Sequence, residues 1–315
     1  MNLQKILLPL SVAVVSLAAG CGGGKQTPVA RVDVEPRLVR LPFGQAQTVR
    51  LTWTPSAPLE GETPTVFVHL LDGEHKVART FDHPFPQRWR EGEPLTDDFK
   101  VYQSALAPPL PAGKYPVVAG LYGRDGKRWP LDGLGEPVGK DEYKAFEVEV
   151  PAEDPGPRFT FSPTWLPVEP GGDRQVVARR WMADRGDVRV VDQKGPGVVW
   201  LVVQIPATDK PDYKLALDPG ASSPSVLVQG NCGGGETNFS GPGIHEAEVA
   251  MDSPPPDAPC RVQLSANFTI QSRIARPKRS VSLENIAWIP GGSRRPAAQP
   301  ADPAATNPAS PSAPR

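Results

Sequence analysis

The chain has 315 residues, a formal net charge of −1 and a sequence pI near 6.5. This near-neutral balance argues against a nucleic-acid-binding protein and against a protein held on an anionic membrane surface by charge. Its 40 prolines and 30 glycines favour short strands and many turns, because proline breaks helix interiors and cannot donate to a strand ladder.

The first 20 residues have the features of an export signal. Lys5 supplies a positive charge, and the apolar run from Ile6 to Gly20 is shorter than a helix needs to span a bilayer. The small residues Ala18-Ala19-Gly20 then precede Cys21. We therefore predict a signal peptide over residues 1–20, with an ordinary secretory signal and a chance cysteine as the alternative.

This ending resembles the lipobox of bacterial lipoproteins. The resemblance implies cleavage after Gly20 by signal peptidase II, lipid on Cys21 and a place in the cell envelope, so the membrane is an expected partner through the lipid. Gly22 stands where some Gram-negative families carry an aspartate that implies inner-membrane retention, which favours the outer membrane. Residues 21–29 form the lipidated tether in this interpretation.

Residues 30–150 are predicted to form an N-terminal immunoglobulin-like β-sandwich of six or seven short strands. A first strand lies between Val32 and Leu41, and polar and apolar residues alternate from Thr48 to Trp53. Asp72-Gly73-Glu74-His75 is typical of a hairpin turn. Further strand-like runs cover residues 65–71, 76–78, 115–122, 128–131 and 145–150.

Residues 151–158 form a proline-rich linker, and residues 159–290 are predicted to form a second β-sandwich, jelly-roll-like or immunoglobulin-like. The continuously apolar run Val198–Val203 predicts a central strand that is buried on both faces. The other predicted strands cover 174–182, 188–191, 214–217, 225–229, 245–251, 260–270 and 280–289. Residues 291–315 are expected to be disordered, and the chain as a whole to be all-β.

Two cysteines remain if Cys21 carries lipid. In an oxidising compartment Cys232 and Cys260 predict a disulfide. Two free thiols, or half a metal site near His245, are the alternatives. The glycines that follow Cys232 at 233–235 predict a loop with positive φ, with an anion-binding nest as the alternative.

Two sets of residues in the predicted domains match known modules of bacterial envelope proteins. The first set is 67–72, 92–99, 111–115, 120–122 and 128–131, and the second set is 161–163, 179–181 and 281–289. Through the first set, residues 48–150 resemble a β-sandwich module that also occurs in the extracytoplasmic part of some large membrane glycosyltransferases. Through the second set, the second domain is similar to a jelly-roll carbohydrate-binding module found beside them. These residues imply the fold, and no ligand-binding residue is transferred through them.

No catalytic set, cofactor motif or metal site is recognisable in the sequence, so we predict a protein that is not an enzyme and needs no cofactor. The adjacent acids Asp97-Asp98 and Asp141-Glu142 are expected in solvent-facing turns. An envelope hydrolase, the enzymatic alternative, would need pairs such as His83 with Asp82 or His245 with Glu246. A metal on His83 and Asp82 would have too few ligands.

Tryptophans near predicted loops are the strongest functional signal, because flat apolar rings stack on sugar faces. Trp89, Trp129, Trp165 and Trp181 are the candidate ligand-binding residues, and caps of the sandwich cores are the alternative. Trp200 is expected in the core. The sequence thus predicts a non-catalytic envelope lipoprotein that binds an envelope glycan or an envelope protein and no nucleic acid, with a structural assembly lipoprotein as the alternative.

Overall fold

The computed structural model describes residues 27–59, 64–85, 89–153, 156–171, 176–233, 235–254, 259–272 and 277–291. The predicted signal peptide, Cys21, tether residues 21–26 and tail residues 292–315 lie outside the described residues. Every regular element in the described ranges is a strand, which confirms the all-β class. No helix long and apolar enough to cross a membrane occurs among them.

Twelve strands build the first sandwich. They are β1 (Ala30–Glu35), β2 (Leu38–Arg40), β3 (Ala46–Pro55), β4 (Thr65–Leu71), β5 (Val77–Thr80), β6 (His83–Pro84), β7 (Leu95–Tyr102), β8 (Gly113–Tyr122), β9 (Arg128–Trp129), β10 (Leu131–Asp132), β11 (Pro137–Gly139) and β12 (Glu142–Val150). One sheet has the order β10-β1-β3-β7, and the other has the order β11-β12-β8-β4-β5. In the second sheet β2 also pairs with β12, β6 with β4 and β9 with β8. The two sheets share one apolar core, in which Trp53 is fully buried.

Thirteen strands follow. They are β13 (Arg158–Phe161), β14 (Trp165–Pro170), β15 (Ala178–Met182), β16 (Arg185–Val191), β17 (Gly197–Ile205), β18 (Asp209–Lys210), β19 (Tyr213–Leu217), β20 (Ser225–Gly230), β21 (Glu236–Ser240), β22 (Gly243–Met251), β23 (Cys260–Ala266), β24 (Phe268–Ser272) and β25 (Ser282–Pro290). The sheets β13-β16-β23-β20-β21 and β14-β15-β25-β17-β22 enclose a second core, and β18-β19-β24 form a small third sheet.

The predicted strand 260–270 is two strands, because the chain changes sheet at Asn267. The Oδ1 atom of Asn267 accepts a hydrogen bond from the Ser225 amide at 2.6 Å, and its Nδ2 donates to the Ser223 carbonyl at 3.0 Å. These bonds hold the turn between β23 and β24. Cys260, Val262 and Leu264 all face the core, as their alternation predicts.

The Sγ atoms of Cys232 and Cys260 lie at disulfide distance, 2.22 Å, with their Cα atoms 5.5 Å apart. Both residues belong to the second core. The bond ties the end of β20 to the start of β23, as predicted. Beyond Cys232, Gly233 has a φ of +87° and Gly235 a φ of +148°, so positive φ is confirmed at these two glycines.

Backbone hydrogen bonds join the first sandwich directly to β25 of the second. The Ala105 amide donates to the Ile286 carbonyl at 2.9 Å, and the Trp288 amide donates to the Gly44 carbonyl at 2.7 Å. Leu106, in the loop after β7, is buried within the second core although it lies in the first predicted domain. The two sandwiches are therefore packed against each other as well as connected by the linker.

Candidate functional site

A cleft of about 330 Å³ lies where the first sandwich meets the second. Strands β5, β6 and β7 form one side, and β17 and β22 form the other. Its lining combines aromatic rings with carboxylates, an imidazole and an ammonium group: Thr80, Phe81, Asp82, His83, Asp97, Asp98, Phe99, Lys100, Tyr102, Trp200, Val202 and Glu246. Domain interfaces are a preferred location for ligand sites.

The floor of this cleft follows from the alternation of β17. Val199 and Leu201 face the second core, so Trp200 between them faces the opposite way, toward the first sandwich. Ala46 and Tyr102 cover it there, and Trp200 is only 3% exposed. The prediction of a strand buried on both faces is confirmed at this residue, and the second burying partner is the other sandwich.

An aromatic contact and an ion pair cross the interface at Trp200. The Tyr102 and Trp200 rings meet edge to face, with centroids 4.9 Å apart. Lys100 Nζ lies 5.2 Å from the centroid of the Trp200 ring and 2.9 Å from Oε1 of Glu248. Glu246 accepts a hydrogen bond from Trp200 Nε1 at 3.1 Å. Charged groups from both sandwiches thus contact the Trp200 ring, and the partly exposed Tyr102 lines the same cleft.

A histidine and a buried carboxylate form the polar end of the cleft. His83 Nε2 lies 2.9 Å from Oδ2 of Asp97, and its Nδ1 lies 2.9 Å from the carbonyl oxygen of Phe81. The imidazole stacks on Phe99 with centroids 5.2 Å apart. Asp97 is 2% exposed, because Leu95, Asp97 and Phe99 share the inward face of β7.

The contacts of His83 favour its charged form. A carbonyl oxygen only accepts, so the Nδ1 atom facing Phe81 carries a proton, and an ionised Asp97 requires a proton on Nε2 as well. Burial lowers the pKa of His83, but the hydrogen bond and the charge of Asp97 outweigh burial and raise this pKa above 6.5. The dyad therefore holds a proton between a partly buried imidazole and a buried carboxylate.

The other acids of the cleft each have a partner on the same sandwich. Asp82 accepts from the Val68 amide at 3.0 Å and lies 3.1 Å from Nε2 of His69. Asp98 accepts two hydrogen bonds from Arg50, at 2.7 and 2.9 Å. The expectation that Asp97 and Asp98 lie in a solvent-facing turn is wrong: they are neighbours in β7 and point to opposite faces, so only Asp98 is exposed.

Asp141 and Glu142, the second acidic pair, are predicted in a solvent-facing turn, and only Asp141 lies in one. Asp141 is exposed to an intermediate degree and has a φ of +53°, which fits a turn. Glu142 begins β12 and pairs with Arg128 at 2.6 Å, with about a quarter of its side chain exposed (24%). It is therefore a strand residue in an ion pair.

The residue pairs named for a hydrolase are not brought together. His83 binds Asp97 while Asp82 binds His69, so each partner of the first pair is engaged elsewhere. His245 and Glu246 are consecutive in β22 and point to opposite faces. His245 stacks on Phe239 at 5.0 Å, and its Nε2 lies 3.1 Å from the Gly241 carbonyl.

Among the described residues, no group of three or more histidine, cysteine, aspartate or glutamate side chains could hold a metal ion.

Two of the candidate tryptophans lie on the first sandwich, away from the cleft lining. Trp89 packs against Trp53 and Phe85, and its Nε1 donates to the Ala57 carbonyl at 2.9 Å. Trp129 ends β9, is partly buried on the first core and has Lys127 Nζ 5.8 Å from its centroid. Both cover the edge of the core, as the alternative interpretation expects.

The other two lie on the second sandwich. Trp165 is 3% exposed and donates from Nε1 to the Asp187 carbonyl at 3.2 Å, so its ring has no face for a ligand and its assignment as a binding residue is wrong. Trp181 donates to Glu169 at 3.1 Å, with the Arg279 guanidinium 5.2 Å from its ring. None of the four lines the interdomain cleft among the residues that the structure describes.

The sequence interpretation missed Asp97, Lys100 and Tyr102 as site residues. The alternation Leu95, Asp97, Phe99, Val101 was the available signal for β7, and it predicts a carboxylate on a core-facing position. A buried charge needs a partner, which points to a histidine such as His83.

No protein-family model matches the chain, and no curated protein is significantly similar to it.

Proposed function

We propose that this chain is a non-catalytic, lipid-anchored envelope protein whose interdomain cleft binds a short segment of an envelope glycan. One observation carries the proposal: charged groups of both sandwiches line a single cleft together with the partly exposed Tyr102. Sugars present an apolar ring face and peripheral hydroxyls, and this lining offers an aromatic surface together with carboxylate acceptors and an ammonium donor.

The charged groups of the cleft are suited to binding, because they are held in place. Lys100 is fixed by Glu248 and by the face of Trp200, and Asp82 is fixed by a backbone amide. Polar groups that are oriented before a ligand arrives lose little entropy on binding. The histidine and acid of the dyad satisfy each other, which suits a fixed wall better than a proton-transfer centre.

The lipid anchor and the place in the envelope are proposed from residues 1–21 alone. A tether of nine residues (21–29) would hold the first sandwich close to the membrane surface. The alternative of an assembly lipoprotein would be favoured by a contiguous exposed apolar patch. The large apolar side chains exposed in the described residues lie on four different strands: Leu38, Val138, Val168 and Ile244.

The test is binding to an array of neutral and acidic bacterial glycans, followed by calorimetric titration of each glycan retained. Glu246→Gln and Asp82→Asn should weaken binding at least about tenfold, since each removes a charged acceptor from the cleft. Glu147→Gln is the matched control, because Glu147 pairs with Lys114 outside the cleft lining and its loss should leave binding unchanged.

An array that retains no glycan contradicts the proposal. Glycan retention that both cleft variants leave unchanged, but that Trp89→Ala, Trp129→Ala or Trp181→Ala abolishes, also contradicts it. That result would show that the tryptophans bind the glycan, as the sequence predicts.

A further inference from the structure

Two arginines face each other on the outer surface of the second sandwich. The antiparallel register of β16 and β23 places Arg189 directly opposite Arg261, and both side chains are exposed. Side chains at such positions have Cβ atoms about 4.5–5.5 Å apart, and like charges there repel each other. A fold tolerates this arrangement at a cost in stability unless an anion lies between the two guanidinium groups.

Two carboxylates on this sheet are already engaged by glutamine side chains. Asp187 is two residues from Arg189 on the same face of β16, and it accepts from Gln263 Nε2 at 2.8 Å. Glu236 accepts from Gln229 Nε2 at 2.9 Å. No ion pair among the described residues involves either arginine.

Arg158, on the neighbouring strand β13, shows the contrast. Its Nε donates to Asp192 at 2.8 Å, so its charge is neutralised within the protein. Arg189 and Arg261 are of the same residue type on the same sheet, and they lack such a partner in the part of the chain that the structure describes.

A cavity of about 400 Å³ adjoins Arg261 and is lined mainly by amide and backbone groups. Its lining consists of Gln229, Gly230, Asn231, Gly235, Glu236, Arg261 and Gln263. Register aligns Asp187, Gln263, Gln229 and Glu236 in one row across four strands. Gln263 donates to Asp187 and accepts from Arg185, and Gln229 donates to Glu236, so these amides are held in place. The second N–H of each amide can engage the hydroxyls of an elongated polyol.

We infer that this face is a second binding site, for an acidic polysaccharide. A carboxylate of the ligand would lie between Arg189 and Arg261, where bidentate contacts are favoured, and sugar hydroxyls would lie on the amide row. The ligand class rests on the proposed function, but the residues differ from those of the interdomain cleft, so the two proposals can fail separately.

The test uses the full chain with polygalacturonate as the acidic probe and dextran as the neutral one. Arg189→Gln and Arg261→Gln should each weaken polygalacturonate binding about tenfold, and binding should fall further as salt rises. Arg158→Gln is the matched control and should leave affinity unchanged. Thermal unfolding should show no loss of stability in either test variant, because each removes a like-charge contact.

If Arg158→Gln and Arg261→Gln lose the same affinity for polygalacturonate, the inference is overturned, because the ligand would then be attracted by general surface charge. Binding of phosphatidylglycerol vesicles with the same arginine dependence, and none of polygalacturonate, would also overturn it. If Glu246→Gln loses binding to the array glycans but keeps its affinity for polygalacturonate, the two sites are separate. If Glu246→Gln retains array glycans as well as the wild type does, while polygalacturonate binding depends on the two arginines, the cleft proposal fails and the inference of this second site stands.

Discussion

The ring of Tyr102 in the first sandwich meets the ring of Trp200 in the second, with centroids 4.9 Å apart and planes at 67°. Such edge-to-face pairs contribute about 0.5–1.5 kcal/mol beyond the area they bury. Together with the Lys100–Glu248 ion pair, this contact holds the walls of the cleft at a fixed separation. The shape of the cleft therefore depends on the interface as much as on either sandwich.

Trp200→Ala should destabilise the protein by about 3–5 kcal/mol, because it removes a large buried side chain at the interface. The wild-type chain should unfold in one calorimetric transition, and the variant in two, because the sandwiches lose their shared packing. Trp129→Ala is the control: it removes a partly buried ring from the first sandwich only and should leave a single transition. A Trp200→Ala variant that unfolds in one transition near the wild-type midpoint would show that the Trp200 contact does not couple the unfolding of the two sandwiches.

The strands could be predicted wherever alternation is regular, and the pairings between them could not. The strand-like runs at residues 48–53, 65–71 and 145–150 predict β3, β4 and β12 to within a few residues, whereas the two adjacent acids of β7 favour a turn. His83 and Asp97 are 14 positions apart, and Lys100 and Glu248 are on different sandwiches. Their proximity depends on strand register and domain packing, which are not local properties of the sequence.

The His83–Asp97 dyad should make stability depend on pH. Because the pKa of His83 is raised in the folded state, the dyad stabilises the fold fully below the unfolded value of 6.5, and this contribution is lost as pH rises through the folded pKa. The free energy of unfolding should therefore fall above pH 6.5 in the wild type. His83→Gln should remove this decrease in the free energy of unfolding above pH 6.5, which urea unfolding at several pH values measures.

Asp97→Asn separates the charge of the dyad from its geometry. The amide keeps the shape of the carboxyl group but not its charge, so burial should dominate and the pKa of His83 should fall below that of the wild type. An NMR titration of the imidazole measures this directly. An unchanged pKa in Asp97→Asn would mean that Asp97 does not set the protonation of His83.

The Cys232–Cys260 bond should stabilise the second sandwich by about 3–4 kcal/mol, because it closes a loop over a separation of 28 residues in the unfolded chain. The double variant Cys232→Ala with Cys260→Ala should unfold at correspondingly lower urea concentration. A reducing agent should shift the wild type by a similar amount and leave the double variant unchanged. No difference between oxidised wild type and double variant would contradict a stabilising role.

Cys21→Ala should abolish anchoring if the lipobox interpretation holds. Cells expressing the full chain with labelled palmitate should yield a labelled, membrane-associated protein, and the variant should be unlabelled and released from the membrane. Ser16→Ala, within the apolar run, is the control and should be lipidated normally. Membrane association of an unlabelled Cys21→Ala protein would contradict the anchor.

The most direct measurement of the central claim is an NMR titration of the indole N–H resonances with a glycan retained on the array. The chain has seven tryptophans, and only the Nε1–H of Trp200 donates to a carboxylate in the cleft lining among the described residues. We predict a saturable shift of the Trp200 resonance, with those of Trp89, Trp129 and Trp181 unmoved. A shift confined to those three, with Trp200 unchanged, would contradict glycan binding between the two sandwiches.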